Sequence, residues 1–257
     1  MLGNNNIGDN VSKDKVNKRR QDISKSLYEH NCRNHLPHDP ENCEACLRAR
    51  LMAKKNTKND NWDDIKGKDK GYVYSVDYIG PYSPDVDGNI YGFVGVEVAH
   101  TNYGIVTLSK NKESDTTRDM LKLHRAELRN NGKDDKDIVR VHHDCDGSFE
   151  KHFKTYLTDE LIENTNTGGY TPQINSRVER RNRTIKQAFK AALFNATAGL
   201  PYYNALWGLG IKHACKSVNV NTDTKGRNYY ELLTGKTYTY DIGGKDLAFG
   251  QQVFLSY

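Results

Sequence analysis

The feature that most constrains the fold is a change in hydrophobic periodicity at Gly71. Residues 72–80 alternate as a strand does, and "IYGFVGVEVAH" and "YGIVTLS" indicate two further strands after the Asp-Gly turn of "DVDGN". Residues 114–132 then have helical spacing, and "DIVRVHHD" is a short strand rich in β-branched residues. Three strands followed by a helix, a strand and a helix predict a mixed α/β sheet with an antiparallel meander and a parallel extension.

Capping residues and glycines predict where the helices begin and end. We expect Ser114 or Asp115 to cap the first helix and Gly132 to end it. "GGYTPQ" is predicted to be a loop. His142, His143 and His152 are interpreted as surface residues of a strand and a helix. Three further helices are predicted over 148–162, 176–197 and 201–221.

The composition allows one core of medium size and a small module. The chain has 257 residues, of which 36% are hydrophobic, and its net charge is +5, which is compatible with a polyanionic partner. It has no run of about 18 apolar residues and no signal peptide, so we expect a soluble protein without a membrane partner. Residues 1–26 are predicted to be a disordered polar tail, and 53–70 a charged linker.

The predicted topology brings three acidic residues together. Asp77 lies in the first strand, Asp144 at the end of the fourth and Glu179 near the start of the third helix. A right-handed crossover through the first helix would place the fourth strand parallel to the first, with the third helix across their ends. Converging carboxylates need cations, and Mg²⁺ prefers such oxygen ligands. Two such ions about 3.5–4 Å apart support in-line displacement at phosphorus.

A His/Cys cluster precedes the linker. Within "HNCRNHLPHDPENCEAC", two histidines have four residues between them and two cysteines form a Cys-x2-Cys pair. Two imidazoles and two thiolates suit tetrahedral Zn²⁺, although His38 and Cys32 are also in range. The odd count of five cysteines favours metal ligation in a reducing compartment over a disulfide framework. Residues 27–52 are therefore predicted to form a zinc-binding module with ligands His30, His35, Cys43 and Cys46.

The third predicted helix combines an apolar stripe with a basic surface. Residues three, four and seven positions after Glu179 share its face and carry amide or cationic donors of the kind that contact DNA phosphates. Neighbouring arginines widen this surface. The DNA-binding residues predicted on the helix are Arg180, Arg181, Asn182, Arg183 and Lys186.

Three segments occur in an order and spacing typical of one class of enzyme. "DYIGP", "HHDCDGSF" and "TPQINSRVERRNRT" follow the pattern of the D,D-35-E polynucleotidyl transferases. The third closely resembles the Thr-Pro-Gln-x-Asn-Gly-x-x-Glu-Arg-x-Asn-Arg-Thr signature of copia-type retrotransposon integrases. "YYELLTGKTYTYD" resembles the Tyr-Glu-Leu-x-x-Gly-Lys segment that follows the core in that family. The resemblance covers about residues 30–250.

This resemblance implies an RNase H-like α/β fold over 71–237, with a five-stranded mixed sheet flanked by helices and a small zinc-binding module before it. Asp77, Asp144 and Glu179 would be the metal-binding catalytic triad, with two Mg²⁺ or Mn²⁺ ions. The implied reactions are DNA 3′-end processing by water and transfer of that 3′-hydroxyl into target DNA. Gln173 and Asn175 would lie on a mobile loop near the DNA end.

The resemblance also implies partners and a location. The partners are DNA, both as element ends and as target, and further copies of the chain in a homo-multimer. The location is the nucleus, with a cytoplasmic particle stage if the chain is part of an active element. Residues 238–257 are interpreted as the start of a truncated C-terminal module.

Some positions depart from the family pattern. Ser176 replaces a glycine, and the triplet that begins at Asp146 replaces Gly-Gly-Glu. Asp146 therefore competes with Asp144 as the second ligand. The spacing favours Asp144, because 34 residues lie between it and Glu179, close to the 35 of the family pattern. The alternatives are a catalytically impaired, integrase-derived nucleic-acid-binding protein, or another RNase H-like nuclease or transposase.

Overall fold

The computed structural model describes residues 25–31, 35, 39, 41–50, 71–133, 136–166, 172–196, 203–223 and 225–239. The predicted linker lies outside these residues, as do most of the predicted tail and of the C-terminal module. Residues 25 and 26, assigned to the tail from the sequence, begin a short helix.

The core is a mixed sheet of five strands in the order β3-β2-β1-β4-β5. The first three strands form an antiparallel meander, and β4 and β5 extend it in parallel beside β1. This arrangement confirms the predicted sheet. The strands are β1 (Tyr72–Ile79), β2 (Tyr91–Glu97), β3 (Gly104–Ser109), β4 (Ile138–His143) and β5 (Glu163–Asn166).

Helices cover both faces of this sheet. In the described part of the chain, none is long and apolar enough to cross a membrane. Short 3-10 turns at Gly147–Phe149 and Tyr203–Leu206 precede two of the helices. The helices are α1 (25–31), α2 (Glu44–Arg50), α3 (Ser114–Asn131), α4 (His152–Asp159), α5 (Pro172–Ala196), α6 (Trp207–Val220) and α7 (Tyr229–Thr234).

Several predicted helix starts differ from the structure. The helices predicted from residues 148 and 201 begin at His152 and Trp207, each after a 3-10 turn. The N-cap of α3 is Glu113, not Ser114 or Asp115 as predicted. The hydroxyl of Ser114 does not cap the helix, because it accepts from the backbone N–H of Phe153 at 3.0 Å. Gly132 ends α3 as predicted. The loop before α5 ends earlier than predicted, and α5 begins at Pro172 instead of residue 176. Proline is well suited to the first turn of a helix.

Alternation along β1 divides the core into two layers. Tyr72, Tyr74 and Val76 pack with α3 and α4 on one face of the sheet. Val73 and Ile79 pack with α5 and α6 on the other face. Side chains two positions apart in a strand share a face, so Asp77 belongs to the side that α5 covers.

Candidate active site and metal centre

The register of the sheet places Asp77 beside Asp144. β1 and β4 are parallel, and Ser75 pairs with His142 at the end of their ladder. Asp77 and Asp144 lie two positions further along each chain and so point to the same face. The two aspartates are therefore neighbours on the face where α5 packs.

Two hydrogen bonds hold Asp77. Its Oδ1 accepts from the backbone N–H of Tyr78 at 2.7 Å, and its Oδ2 accepts from the side-chain amide of Asn182 at 2.7 Å. Burial and, second, the negative charge of Asp144 raise the pKa of Asp77 to about 6. The two hydrogen bonds and the charge of Lys186 act in the opposite direction. Keeping both aspartates charged at this buried position therefore costs free energy, and a bound cation would lower that cost.

Asp144 and Asp146 differ in what their carboxylates contact. Oδ1 of Asp144 is buried and has no hydrogen-bond partner. Asp146 forms an ion pair of 2.8 Å with Lys112 and accepts from the backbone N–H of Ser148 at 2.9 Å. Burial raises the pKa of Asp146, but these contacts outweigh it and lower the pKa to about 2. Asp146 caps a turn, whereas Asp144 has a buried carboxylate oxygen that no hydrogen bond satisfies.

Glu179 lies on α5 but is not gathered with the two aspartates. It is exposed, one turn before Asn182. Among the described residues, one group of at least three His, Cys, Asp or Glu side chains is close enough to bind a single metal ion, with ligand atoms within 4.8 Å of one another. That group contains neither Asp nor Glu. The structure thus pairs two of the predicted acids and places the third on the helix that holds Asp77. Repulsion between carboxylates opposes a tighter cluster without cations.

Two residues predicted to contact DNA are buried. Arg181 is 7% exposed, donates to Oδ1 of Asn219 and lies with Cζ 4.9 Å from the centre of the Tyr229 ring. Asn182 is 5% exposed and its amide is committed to Asp77. Both residues fall on the side of α5 that packs against the sheet and α6, so their contact with DNA stays a prediction that this burial does not favour.

The outer side of α5 keeps its basic character. Arg180 and Arg183 are exposed, and Lys186 is half-buried. Gln173 and Asn175 lie in the first turn of α5 and not in a loop, and their side chains are outside the described part. Contact between these five residues and DNA stays a prediction.

The four predicted zinc ligands come together. Nε2 of His30 lies 3.2 Å from Sγ of Cys46, and Nδ1 of His35 lies 3.3 Å from Sγ of Cys43. One ligand atom from each residue is within 4.8 Å of the other three. The two alternative ligands, at positions 32 and 38, lie outside the described residues.

A local turn sets the geometry of the cysteine pair. The carboxylate of Asp39 accepts from the backbone N–H of Asn42 at 3.1 Å, and the backbone N–H of Cys43 donates to the Asp39 carbonyl at 2.9 Å. The turn leads into α2, so Cys43 and Cys46 share one side of the chain. Both cysteines pack with Ala191 of α5, and burial raises the pKa of the Cys46 thiol to about 12.

The donor set of this His/Cys cluster suits zinc. Two imidazole nitrogens and two sulfurs match the ligands of structural Zn²⁺ sites, whereas Mg²⁺ requires oxygen. The cluster therefore fits a small N-terminal zinc module, and this module packs on the helix that carries Glu179.

Comparison with known proteins bears on the fold. No family model matches the chain, and no curated protein matches it. The magnesium complex of the HTLV-2 integrase catalytic core domain in its trimeric form is 18% identical, with a TM-score of 0.49 over 65% of this chain and 99% of that one. The BIV integrase catalytic core domain is 17% identical, with a TM-score of 0.44 over 63% and 93%.

A larger assembly matches more of the chain. The simian T-cell lymphotropic virus intasome, in complex with a PP2A regulatory subunit, is 17% identical with a TM-score of 0.50 over 84% of this chain and 69% of that one. The chain therefore resembles that intasome protein in its fold. At such low identity this likeness establishes the RNase H-like architecture, and the chemistry has to be argued from the residues of this chain.

Two buried histidines of the integrase-like core are missed by sequence reasoning. His142 and His143 are predicted at the surface, but each is 1% exposed. Nδ1 of His142 lies 3.0 Å from Oγ1 of Thr165, and Nε2 of His143 lies 2.8 Å from Oδ1 of Asn164. The available signal was the β-branched run "DIVRV", which is typical of a strand covered on both faces.

Proposed function

We propose that this chain is a retroelement integrase of the copia type, which processes DNA 3′ ends and joins them to target DNA. The observation that carries the proposal is the pairing of Asp77 with Asp144 at the ends of two parallel strands of an integrase-like fold. Glu179 completes a D,D-35-E triad from α5. In this fold such a triad acts by phosphoryl transfer, in which positioning and charge stabilisation lower the barrier.

The residues of the pair fit a divalent metal. Asp144 has a buried carboxylate oxygen without a hydrogen-bond partner, and the pKa of Asp77 is raised by burial and, second, by the charge of Asp144, both of which a bound cation would offset. Asp77, Asp144 and Glu179 would hold two Mg²⁺ or Mn²⁺ ions. When bound, such ions acidify the attacking water or hydroxyl and stabilise charge on the scissile phosphate.

Neighbouring residues of the chain orient the acids and bind the substrate. Asn182 fixes Oδ2 of Asp77 and so sets the direction of that carboxylate. Lys186 places a positive charge near the pair. Arg180 and Arg183 face outward on the same helix and would bind backbone phosphates, with Gln173 and Asn175 at its start.

The surroundings of the site support the same proposal. The His/Cys cluster would bind a structural Zn²⁺ ion and stabilise the packing of α2 on α5. Further copies of the chain would assemble on DNA, in the nucleus, after a cytoplasmic particle stage. The zinc module would span residues 27–52 and the catalytic core residues 71–237. Residues 238–257 would be the start of a C-terminal module.

Strand transfer with a labelled element-end oligonucleotide in Mg²⁺ or Mn²⁺ tests the proposal. Wild-type protein should join the oligonucleotide to target DNA, and Asp144→Asn and Glu179→Gln should abolish joining without loss of fold. Asp146→Asn is the matched control, because Asp146 caps a turn, and it should retain joining. Undiminished joining by Asp144→Asn or Glu179→Gln would refute the triad.

A second candidate is a DNA-binding descendant that has lost catalysis. The observation in its favour is that Glu179 is exposed and, within the described residues, does not form a metal-ligand group with the two aspartates. This candidate predicts DNA binding without nicking or joining in either metal. Hydrolysis without joining would instead indicate another nuclease of this fold.

A further inference from the structure

The ring of His143 connects three elements at the end of β4. It is 1% exposed, and its Nδ1 lies 2.5 Å from the backbone carbonyl oxygen of Asp144. Its Nε2 lies 2.8 Å from Oδ1 of Asn164 on β5. The ring stacks on Phe149 with centroids 4.5 Å apart and an angle of 20°, and Phe153 meets it edge-on at 5.8 Å. Packing and hydrogen bonds therefore hold the ring from several sides.

The hydrogen-bond partners fix which nitrogen donates. A carbonyl oxygen only accepts, so Nδ1 of His143 must carry a proton and donate it to Asp144. The side-chain amide of Asn164 can turn by half a rotation and present either its oxygen or its NH₂ group to Nε2. With NH₂ toward the ring, a neutral His143 satisfies both contacts.

The bond acts at the point where the strand ladder ends. β4 finishes at His143, so Asp144 is the first residue beyond it. Its peptide carbonyl and its side chain are attached to the same Cα atom, and holding the carbonyl restricts the direction of the Cα–Cβ bond. Displacements of about 1 Å in a catalytic group can cost a hundredfold in rate.

We propose that His143 is a positioning residue for Asp144, in which the Nδ1–H group holds the Asp144 carbonyl and thereby aims its carboxylate at the shared metal site with Asp77. This inference deepens the proposed function and rests on it, since it assigns Asp144 as a metal ligand. His143 itself touches neither substrate nor metal.

Two substitutions separate the hydrogen bond from the packing. His143→Phe keeps an aromatic ring against Phe149 but has no donor. His143→Asn places an amide nitrogen near the Nδ1 position and keeps the donor without the ring. Both are compared with wild type and with Asp144→Asn as full-length protein, after circular dichroism has shown that each is folded.

The measurements are Mn²⁺ affinity by calorimetry, strand-transfer rate, and ¹⁵N NMR of labelled histidine. We expect a protonated, hydrogen-bonded Nδ1 in wild type. Mn²⁺ affinity and rate should fall about ten- to a hundredfold in His143→Phe and return to within about threefold in His143→Asn, with the KM for DNA unchanged.

The outcomes distinguish this inference from the proposed function. Equal Mn²⁺ affinity in His143→Phe and wild type, or equal losses in both variants, would overturn the positioning role while joining by wild type would stand. Mn²⁺ binding without joining by wild type would reject the integrase activity, and the affinities would still decide the role of His143. Wild-type protein without Mn²⁺ binding would reject both.

Discussion

The side-chain amide of Asn182 donates a hydrogen bond of 2.7 Å to Oδ2 of Asp77, which joins residues 105 positions apart in the chain. The other carboxylate oxygen of Asp77 is held by the Tyr78 backbone. Asn182 lies one turn after Glu179 on α5, so a single helix both carries the proposed third acid and orients the first. The acid site is therefore a product of how α5 packs on β1.

Asn182→Ala should slow strand transfer about ten- to a hundredfold, because Asp77 loses the contact that orients it. The hydrogen bond also lowers the pKa of Asp77, so its loss should move the acidic limb of the pH–rate profile to higher pH. Gln187→Ala, on the same helix and half-buried, is the control and should keep the wild-type profile. An unshifted acidic limb in Asn182→Ala would contradict this role.

Asp77 should destabilise the metal-free protein at neutral pH. Its pKa is about 6 in the folded state against an ordinary value of 3.8. Because folded Asp77 binds its proton more tightly than unfolded Asp77, protonation stabilises the folded state. This contribution to the free energy of unfolding is fully present below about pH 4 and is lost as the pH rises through about 6. Asp77→Asn should therefore raise the free energy of unfolding by roughly 2 kcal/mol at pH 7.5 and change it little at pH 4.

Asp146→Asn provides a control of opposite sign for this experiment. The pKa of Asp146 is lowered to about 2, so its contribution to stability is present above about pH 4 and is lost as the pH falls toward 2. Its removal should lower the free energy of unfolding at pH 7.5. Denaturant titrations in a chelator measure both variants, and a destabilised Asp77→Asn at pH 7.5 would contradict the cost of burying the charged Asp77 beside Asp144.

The strand order and the two aspartates could be predicted because they depend on local patterns. Alternation along β1 and β2 and the β-branched run of β4 specify strands from neighbouring residues alone. A parallel crossover then has one favoured hand, which places β4 beside β1 and brings Asp77 and Asp144 toward the same end of these two strands.

The remaining features depend on contacts distant in sequence. β5 is an edge strand with the polar sequence "ENTN", so no hydrophobic alternation marks it. The basic run on α5 gives no sign that Arg181 is buried, since that depends on Asn219 and the ring of Tyr229. Spacing favours Asp144 over Asp146 from the sequence, but the ion pair between Asp146 and Lys112 is visible only in the structure.

Arg181 and Arg183 should have separable roles although they are two positions apart. Arg181→Ala should lower the free energy of unfolding by about 2–4 kcal/mol, because it leaves a cavity and breaks the contacts with Asn219 and Tyr229. Arg183→Ala should change stability by less than about 0.5 kcal/mol but weaken DNA binding and reduce its salt slope by about one. Denaturation and fluorescence anisotropy at several salt concentrations measure the two effects. Weaker DNA binding by a fully stable Arg181→Ala would contradict its burial.

The His/Cys cluster should hold about one zinc ion per chain, which elemental analysis measures. Cys46→Ala should lose the metal, whereas Cys215→Ala, a buried cysteine outside the cluster, should retain it. Since burial raises the pKa of the metal-free Cys46 thiol to about 12, ligation must release its proton, and zinc affinity should fall between pH 8 and pH 6. Because the cysteines pack with Ala191 of α5, zinc removal should also lower the melting temperature of the chain. Equal zinc content in the two variants would exclude this ligand set.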